Sequence, residues 1–126
     1  MDKDTKILIV DDSELMRMQL YHILVEEYDA ENLIFADSIE KAWEKVVKNN
    51  IDVILLDLYL PGENGTDFIN DLLKNTRLKE IPIIVITGVA NDSFVNAFYK
   101  EYVYSYLQKP VDKIELLKSI KKAKSQ

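Results

Sequence analysis

The feature that most constrains the fold of this chain is a fivefold alternation between short apolar runs and segments of helical periodicity. Residues 7–10 form a continuous apolar run, which is typical of a strand buried on both faces. Residues 13–27 then place apolar side chains on one side at helical spacing. Repeated strand–helix units favour a parallel sheet covered by helices on both faces and joined by right-handed crossovers. The sequence therefore predicts an α/β fold.

The predicted elements cover most of the chain. The predicted strands are 7–10, 33–36, 51–56, 81–87 and 104–108, and the predicted helices are 13–27, 38–49, 66–75, 92–102 and 112–124. Either Asp37 or Ser38 can cap the second helix, while Asp112 and Glu115 resemble a capping box for the last one. A chain of 126 residues suits one domain, so we expect a single domain over 1–126.

Composition excludes several classes of protein. Hydrophobic residues make up 48% of the chain, which is enough for a sizeable core, and cysteine is absent, which excludes disulfides and thiolate metal sites. The N-terminus has no signal-peptide pattern, and no apolar run approaches the roughly 20 residues that span a bilayer. A net charge of -6 argues against direct nucleic-acid binding. We therefore expect a cytoplasmic protein that contacts neither membrane nor nucleic acid.

Carboxylates follow two of the predicted strands at the point where each strand ends. Asp11 and Asp12 follow the first strand, and Asp57 follows the third. Ligands of parallel α/β sheets bind beyond the carboxyl ends of the strands. Three carboxylates there would repel one another unless a cation lay between them, and Mg²⁺ prefers oxygen ligands. The sequence therefore predicts a Mg²⁺ site, which Mn²⁺ could also occupy.

Each candidate ligand has an expected role. Asp12 and Asp57 could bind the metal directly, Asp11 could bind it through water, and the backbone carbonyl of Tyr59 could supply a further oxygen. The cation would also neutralise an incoming phosphoryl group, so that Asp57 could attack phosphorus as a carboxylate nucleophile.

Two further strand ends carry polar residues. Thr87 ends the fourth predicted strand and could donate its hydroxyl to a phosphoryl oxygen, and Lys109 follows the fifth strand as a second positive charge. Each of these residues alone has an ordinary explanation in a turn or on a solvated surface. Their occurrence at the ends of four strands of one βα series favours a common site.

The motifs at these strand ends resemble those of a known family. They are Asp11-Asp12, Asp57-Leu58-x-x-Pro61-x-x-x-Gly65, Thr87-Gly88 and Tyr106-Leu107-x-Lys109-Pro110. In this order and spacing, the whole chain resembles the receiver domain of two-component response regulators, typified by the single-domain chemotaxis regulator. The resemblance implies a flavodoxin-like (βα)5 fold with strand order 2-1-3-4-5 and a cis peptide bond between Lys109 and Pro110.

The resemblance also implies a function. Asp57 would accept a phosphoryl group from a sensor histidine kinase or phosphotransfer protein in a Mg²⁺-dependent reaction, assisting its own transfer and dephosphorylation without being a conventional enzyme. Thr87 and Tyr106 match the family's switch pair. Their movement would change the surface of the fourth predicted helix, fifth strand and last helix, which would control a downstream protein. The chain would be a monomer or a phosphorylation-dependent dimer.

Two residues depart from the usual pattern beside the site. Tyr59 and Val89 stand where polar residues are frequent in such domains. Their bulk could hinder the water that hydrolyses the phosphoaspartate, so we hypothesise slow autodephosphorylation. In the predicted first helix, Leu15 and Met18 lie close to the acidic residues and could help dock a histidine kinase or phosphotransfer protein.

The sequence is also compatible with alternative functions. A degenerate receiver could act as a constitutive protein-binding module without phosphorylation. A dehalogenase-type phosphatase is disfavoured because Tyr59 stands where that class needs a second aspartate, and a flavin binder is disfavoured because Asp11 and Asp12 would repel phosphate. Whether the domain stands alone or belongs to a longer regulator is open, as are the kinase and the target.

Overall fold

The computed structural model describes residues 2–88 and 103–125, which form one five-stranded parallel sheet flanked by helices. The strands are β1 (Ile7–Val10), β2 (Leu33–Ala36), β3 (Val53–Leu56), β4 (Ile83–Thr87) and β5 (Ser105–Gln108), in the order β2-β1-β3-β4-β5. The helices are α1 (Glu14–Leu24), α2 (Ile39–Lys48), α3 (Gly65–Leu73) and a C-terminal helix (Lys113–Lys124), with 3₁₀ turns at Asp2–Asp4 and Ala30–Asn32. The predicted α/β fold and strand order are confirmed. The predicted helix 92–102 lies outside the described residues.

Both faces of the sheet are buried, which explains the continuous apolar runs. In β1, Leu8 and Val10 belong to the core on the side of α2 and α3. The alternate residues Ile7 and Ile9 belong to a second core, on the side of α1 and the C-terminal helix. Successive strand residues point to opposite faces, so each strand of a two-sided sheet must be apolar throughout.

Each of the four described helices begins at a polar side chain that accepts a hydrogen bond from a backbone N–H in its first turn. These capping residues are Ser13, Ser38, Asn64 and Asp112. Ser38, rather than Asp37, is the cap of α2. Such caps satisfy donors that the helix itself leaves unpaired. They allow α1, α2 and the C-terminal helix to begin within five residues of the ends of β1, β2 and β5.

Several element boundaries differ from the predicted ones. The first helix ends at Leu24 rather than at residue 27, and the N–H of Tyr28 donates to the Leu24 carbonyl in a turn that buries the Tyr28 side chain. β3 begins at residue 53 rather than 51, although Ile51 is buried. β4 likewise begins at 83 rather than 81, and the third helix begins at 65 rather than 66. An apolar residue can enter the core without joining the sheet, which is why the apolar runs overestimated the strands.

Within residues 2–88 and 103–125, none of the helices has the length and apolar character needed to cross a membrane.

Candidate functional site

The two buried acids of the site are placed by neighbouring strands. The N–H of Asp57 donates to the Val10 carbonyl at 3.0 Å, and the N–H of Asp11 donates to the Ala36 carbonyl at 3.1 Å. Both residues therefore continue the sheet by one position past the ends of β3 and β1. Asp11 is 2% exposed and Asp57 is 7% exposed. The point where chain order reverses, between β1 and β3, lies between them.

Asp12 completes an acidic cluster with these two residues. One carboxylate oxygen from each of Asp11, Asp12 and Asp57 lies within 4.8 Å of the others, and Asp12 is exposed. Carboxylates held this close repel one another when ionised. Positive charge nearby would relieve this repulsion.

Lys109 supplies part of that positive charge. Its Nζ donates to Asp11 Oδ2 at 2.9 Å and to Asp57 Oδ2 at 3.0 Å. Its backbone N–H donates to the Thr87 carbonyl at 2.6 Å, which ties the end of β5 to the end of β4. Partial burial by itself lowers the pKa of Lys109, but the hydrogen bonds and charges of Asp11 and Asp57 outweigh it and raise the pKa above its ordinary value. Lys109 is therefore a cation at neutral pH.

Backbone amides orient the other oxygens of the buried carboxylates. The N–H of Ser13 donates to Asp11 Oδ1 at 2.9 Å, and the N–H of Tyr59 donates to Asp57 Oδ1 at 2.9 Å. Each of these carboxylates is therefore hydrogen-bonded through one oxygen to a backbone amide two residues later in its own loop. Both acids are therefore held in fixed directions at the edge of the sheet.

The donor set fits a divalent cation. Three ionised carboxylates and one ammonium group carry a formal net charge of −2, which one divalent ion would balance. Hard oxygen ligands from a small number of carboxylates, with the remaining positions filled by water, are the environment that Mg²⁺ favours.

The loop between β3 and α3 depends on two glycines. A Cβ on Gly65 would lie 2.8 Å from Leu58 Cα, closer than the backbone of this loop allows. Gly62 has φ +70°, a left-handed conformation that side chains disfavour. The glycine at position 65 of the motif is therefore needed because α3 begins directly against the residue that follows Asp57.

Three of the remaining predicted site residues, Thr87, Tyr59 and Tyr106, lie in the described part of the chain. Thr87 is fully buried at the end of β4, and the half-buried Tyr106 ring packs against the core on the α2–α3 side. The side chain of Tyr59 is 47% exposed. The peptide bond between Lys109 and Pro110 is cis, as the resemblance implied. Val89 lies outside the described residues.

Two side chains near the site have no counterpart in the sequence predictions. Arg17 Nη1 donates to the Asp11 carbonyl at 2.7 Å, and Glu63 Oε2 accepts from the Ile39 N–H at 3.0 Å. Both residues occupy ordinary polar positions in the sequence. No local pattern could have identified them, because their partners are brought close only by the fold.

The comparison with protein families identifies one that covers this site. The response regulator receiver domain family matches residues 7–121. That range includes all the acids of the cluster, Lys109, and both members of the Thr87–Tyr106 pair.

Individual relatives and solved structures point to the same family. The chain is 33% identical over 121 residues to the sensory transduction protein LytT of Bacillus anthracis, covering 96% of this chain and 48% of that protein. It is 35% identical over 106 residues to the chemotaxis protein CheY1 of Helicobacter pylori, covering 83% of this chain and 85% of that protein. A putative response regulator from Chloroflexus aurantiacus superposes with a TM-score of 0.87 at 27% identity, covering 98% of this chain and 100% of the other. The chain thus spans about half the length of LytT.

Proposed function

The chain belongs to the response regulator receiver domain family, whose members are phosphoacceptors in signalling rather than conventional enzymes, and we propose that Asp57 is its phosphoacceptor. The supporting observation is the meeting of Asp11, Asp12, Asp57 and Lys109 at one edge of the sheet. In this proposal, the phosphoryl donor is a phosphohistidine on a sensor histidine kinase or a phosphotransfer protein. The reaction requires Mg²⁺.

The proposed transfer is a displacement at phosphorus. A carboxylate oxygen of Asp57 forms the new P–O bond as the P–N bond of the phosphohistidine breaks, and the bonding electron pair leaves with the imidazole. Asp12 and Asp57 would hold Mg²⁺ directly, Asp11 through water, and the Tyr59 carbonyl would complete the set. The metal would supply charge neutralisation for the phosphoryl oxygens.

Lys109 and Thr87 complete the site in this proposal. Lys109 already donates to Asp57 at 3.0 Å, so a small rotation of its ammonium group would bring it onto a phosphoryl oxygen. The Thr87 hydroxyl would donate to another phosphoryl oxygen. Both interactions form only once the phosphoryl group is present, which makes phosphorylation a local charge change that the fold can detect.

The readout would run from Thr87 to Tyr106. As Thr87 moves toward the phosphoryl group, the half-buried ring of Tyr106 would turn inward and change the surface of residues 92–102, β5 and the C-terminal helix. A downstream protein would bind that surface in one of its two states.

Phosphorylation should shift β5 amide resonances in wild type and much less in Thr87→Ala. Equal shifts in both proteins would argue against this route.

The proposed phosphodonor would dock beside the acidic cluster. Leu15 and Met18 on α1 are 66% and 51% exposed, which leaves apolar contact surface next to Asp12 and Ser13.

In the cytoplasm, the domain would act as one unit over 1–126, as a monomer or as a dimer formed on phosphorylation.

The direct test uses Mg²⁺ and a small phosphodonor such as acetyl phosphate. Intact-mass analysis should show one added phosphoryl group on wild type, none on Asp57→Asn, and none when Mg²⁺ is chelated. Asp71→Asn, an exposed change on α3, is the matched control and should react like wild type. Absence of modification on wild type, from this donor and from candidate kinases, would instead favour a constitutive protein-binding module.

A further inference from the structure

Residue 11 is held at both ends of its backbone. Its N–H donates to the Ala36 carbonyl of β2 at 3.1 Å, and its carbonyl accepts from Arg17 Nη1 at 2.7 Å. Arg17 lies on α1 and is partly buried, and its own N–H donates to the Ser13 carbonyl as the helix begins. The guanidinium therefore links the first helix to the loop that carries the acidic cluster.

This hydrogen bond acts on the neighbouring acid. The carbonyl of Asp11 and the N–H of Asp12 belong to the same planar peptide unit, so fixing one oxygen fixes the direction in which Asp12 leaves the strand. Asp12 is exposed, unlike Asp11 and Asp57, and therefore has less packing around it to define its position. The hydrogen bond from Arg17 to the preceding carbonyl restrains the backbone where side-chain packing does not.

We propose that Arg17 is a positioning residue for the metal site, which orients the Asp11–Asp12 peptide so that the Asp12 carboxylate faces Mg²⁺. The inference rests on the metal site of the proposed function. Groups that orient metal ligands without touching the metal commonly change metal affinity by about 10-fold to 100-fold when they are removed.

The sign of the effect separates positioning from simple charge. Arg17 carries a positive charge close to the cluster, and like charge repels Mg²⁺, so a purely electrostatic role predicts tighter binding when Arg17 is neutralised. A positioning role predicts weaker binding from the same change. The two explanations therefore give opposite results in a single measurement.

The experiment measures Mg²⁺ dissociation constants by calorimetry on the unphosphorylated protein. Arg17→Met removes both the charge and the donor, and we expect affinity to fall by about tenfold. Arg17→Lys keeps the charge and an ammonium group that can still donate, and should restore part of the loss. Arg77→Met is the matched control, because Arg77 also donates to a backbone carbonyl, that of Val46 at 3.2 Å, but away from the acidic cluster. The Mg²⁺ affinity of Arg77→Met should equal that of wild type.

Urea titrations establish that each variant is folded under the binding conditions. If Arg17→Met does not fold, the test uses Arg17→Lys. In that variant we expect weaker Mg²⁺ binding than in wild type, and a shifted Asp12 amide resonance in the metal-free protein. Unchanged or tighter Mg²⁺ binding by the folded Arg17 variants would overturn the inference while leaving phosphorylation of Asp57 intact. Absence of Mg²⁺ binding by wild type would overturn both.

Discussion

At the scale of single residues, the site concentrates like charge in a way that favours function over stability. Asp11 and Asp57 are buried, yet both lie within reach of a third carboxylate on Asp12. Lys109 offsets one of the three negative charges. The two negative charges that are not offset should destabilise the metal-free protein, since active sites commonly retain arrangements that cost stability.

Asp12→Asn should therefore stabilise the protein in the absence of metal. It removes one like charge from the cluster, and we expect a gain of about 0.5–1 kcal/mol in the free energy of unfolding. Urea denaturation with a chelator present measures this. The control Asp71→Asn should change stability by less than about 0.5 kcal/mol, and a loss of stability in Asp12→Asn would contradict the repulsion argument.

Tyr59 leads to a kinetic prediction. Its backbone N–H donates to Asp57 while its side chain is exposed beside the loop, where its bulk would hinder the attacking water. Tyr59→Asn should shorten the phosphoryl half-life by about tenfold, equivalent to about 1.4 kcal/mol of activation free energy. Tyr59→Phe keeps the bulk and should match wild type. Equal half-lives for Tyr59→Asn and wild type would remove steric shielding as the explanation.

At the scale of elements, the loop from Asp57 to Gly65 is fastened at both ends. Asp57 extends the sheet, while Gly65 begins α3 against the backbone of Leu58. Between them, Glu63 accepts a hydrogen bond from the Ile39 N–H at the start of α2. A carboxylate at a helix N-terminus also interacts favourably with the helix dipole, so Glu63 joins the loop to a second helix.

Glu63→Gln tests this link. The glutamine amide oxygen can still accept from the Ile39 N–H. Loss of the negative charge weakens this hydrogen bond and should cost about 0.5–1 kcal/mol of stability. Glu40→Gln is the control, because Glu40 lies in the first turn of the same helix and is exposed. Urea denaturation and amide exchange at Ile39 provide the measurements. Equal small losses in the two variants would mean that the dipole alone accounts for the effect.

At the scale of the whole molecule, the proposed metal site would couple Mg²⁺ binding to folding. The acids come from the ends of β1 and β3, so the cluster exists only when the sheet is assembled. A ligand that binds only the folded state stabilises it by mass action.

Mg²⁺ should therefore raise the unfolding midpoint of the wild-type protein. At a concentration 100 times the dissociation constant, the gain should be about 2.7 kcal/mol. Thermal denaturation with and without a chelator measures this, and Asp57→Asn should gain less because it lacks one ligand. A midpoint that does not respond to Mg²⁺ would contradict the metal site.

The sequence alone determined the class of fold and the acidic residues of the site. Strands buried on both faces must be apolar throughout, so their ends are visible wherever polar residues interrupt the runs, as at Asp11 and Asp57. The capping residues were partly visible for the same local reason, with Asp37 and Ser38 left as alternatives. Ser38 is the cap because its hydroxyl accepts the N–H of Lys41.

Only the tertiary structure decided which side chains contact the acidic residues and the loops around them. Lys109 contacts Asp11 across 98 positions of sequence and Asp57 across 52. β5 is separated from β3 by β4, with about 4.8 Å between neighbouring strands. Whether a lysine side chain spans that distance depends on the twist of the sheet and on its rotamer, which leave no local pattern in the sequence. The contacts of Arg17 and Glu63 depend on helix placement for the same reason.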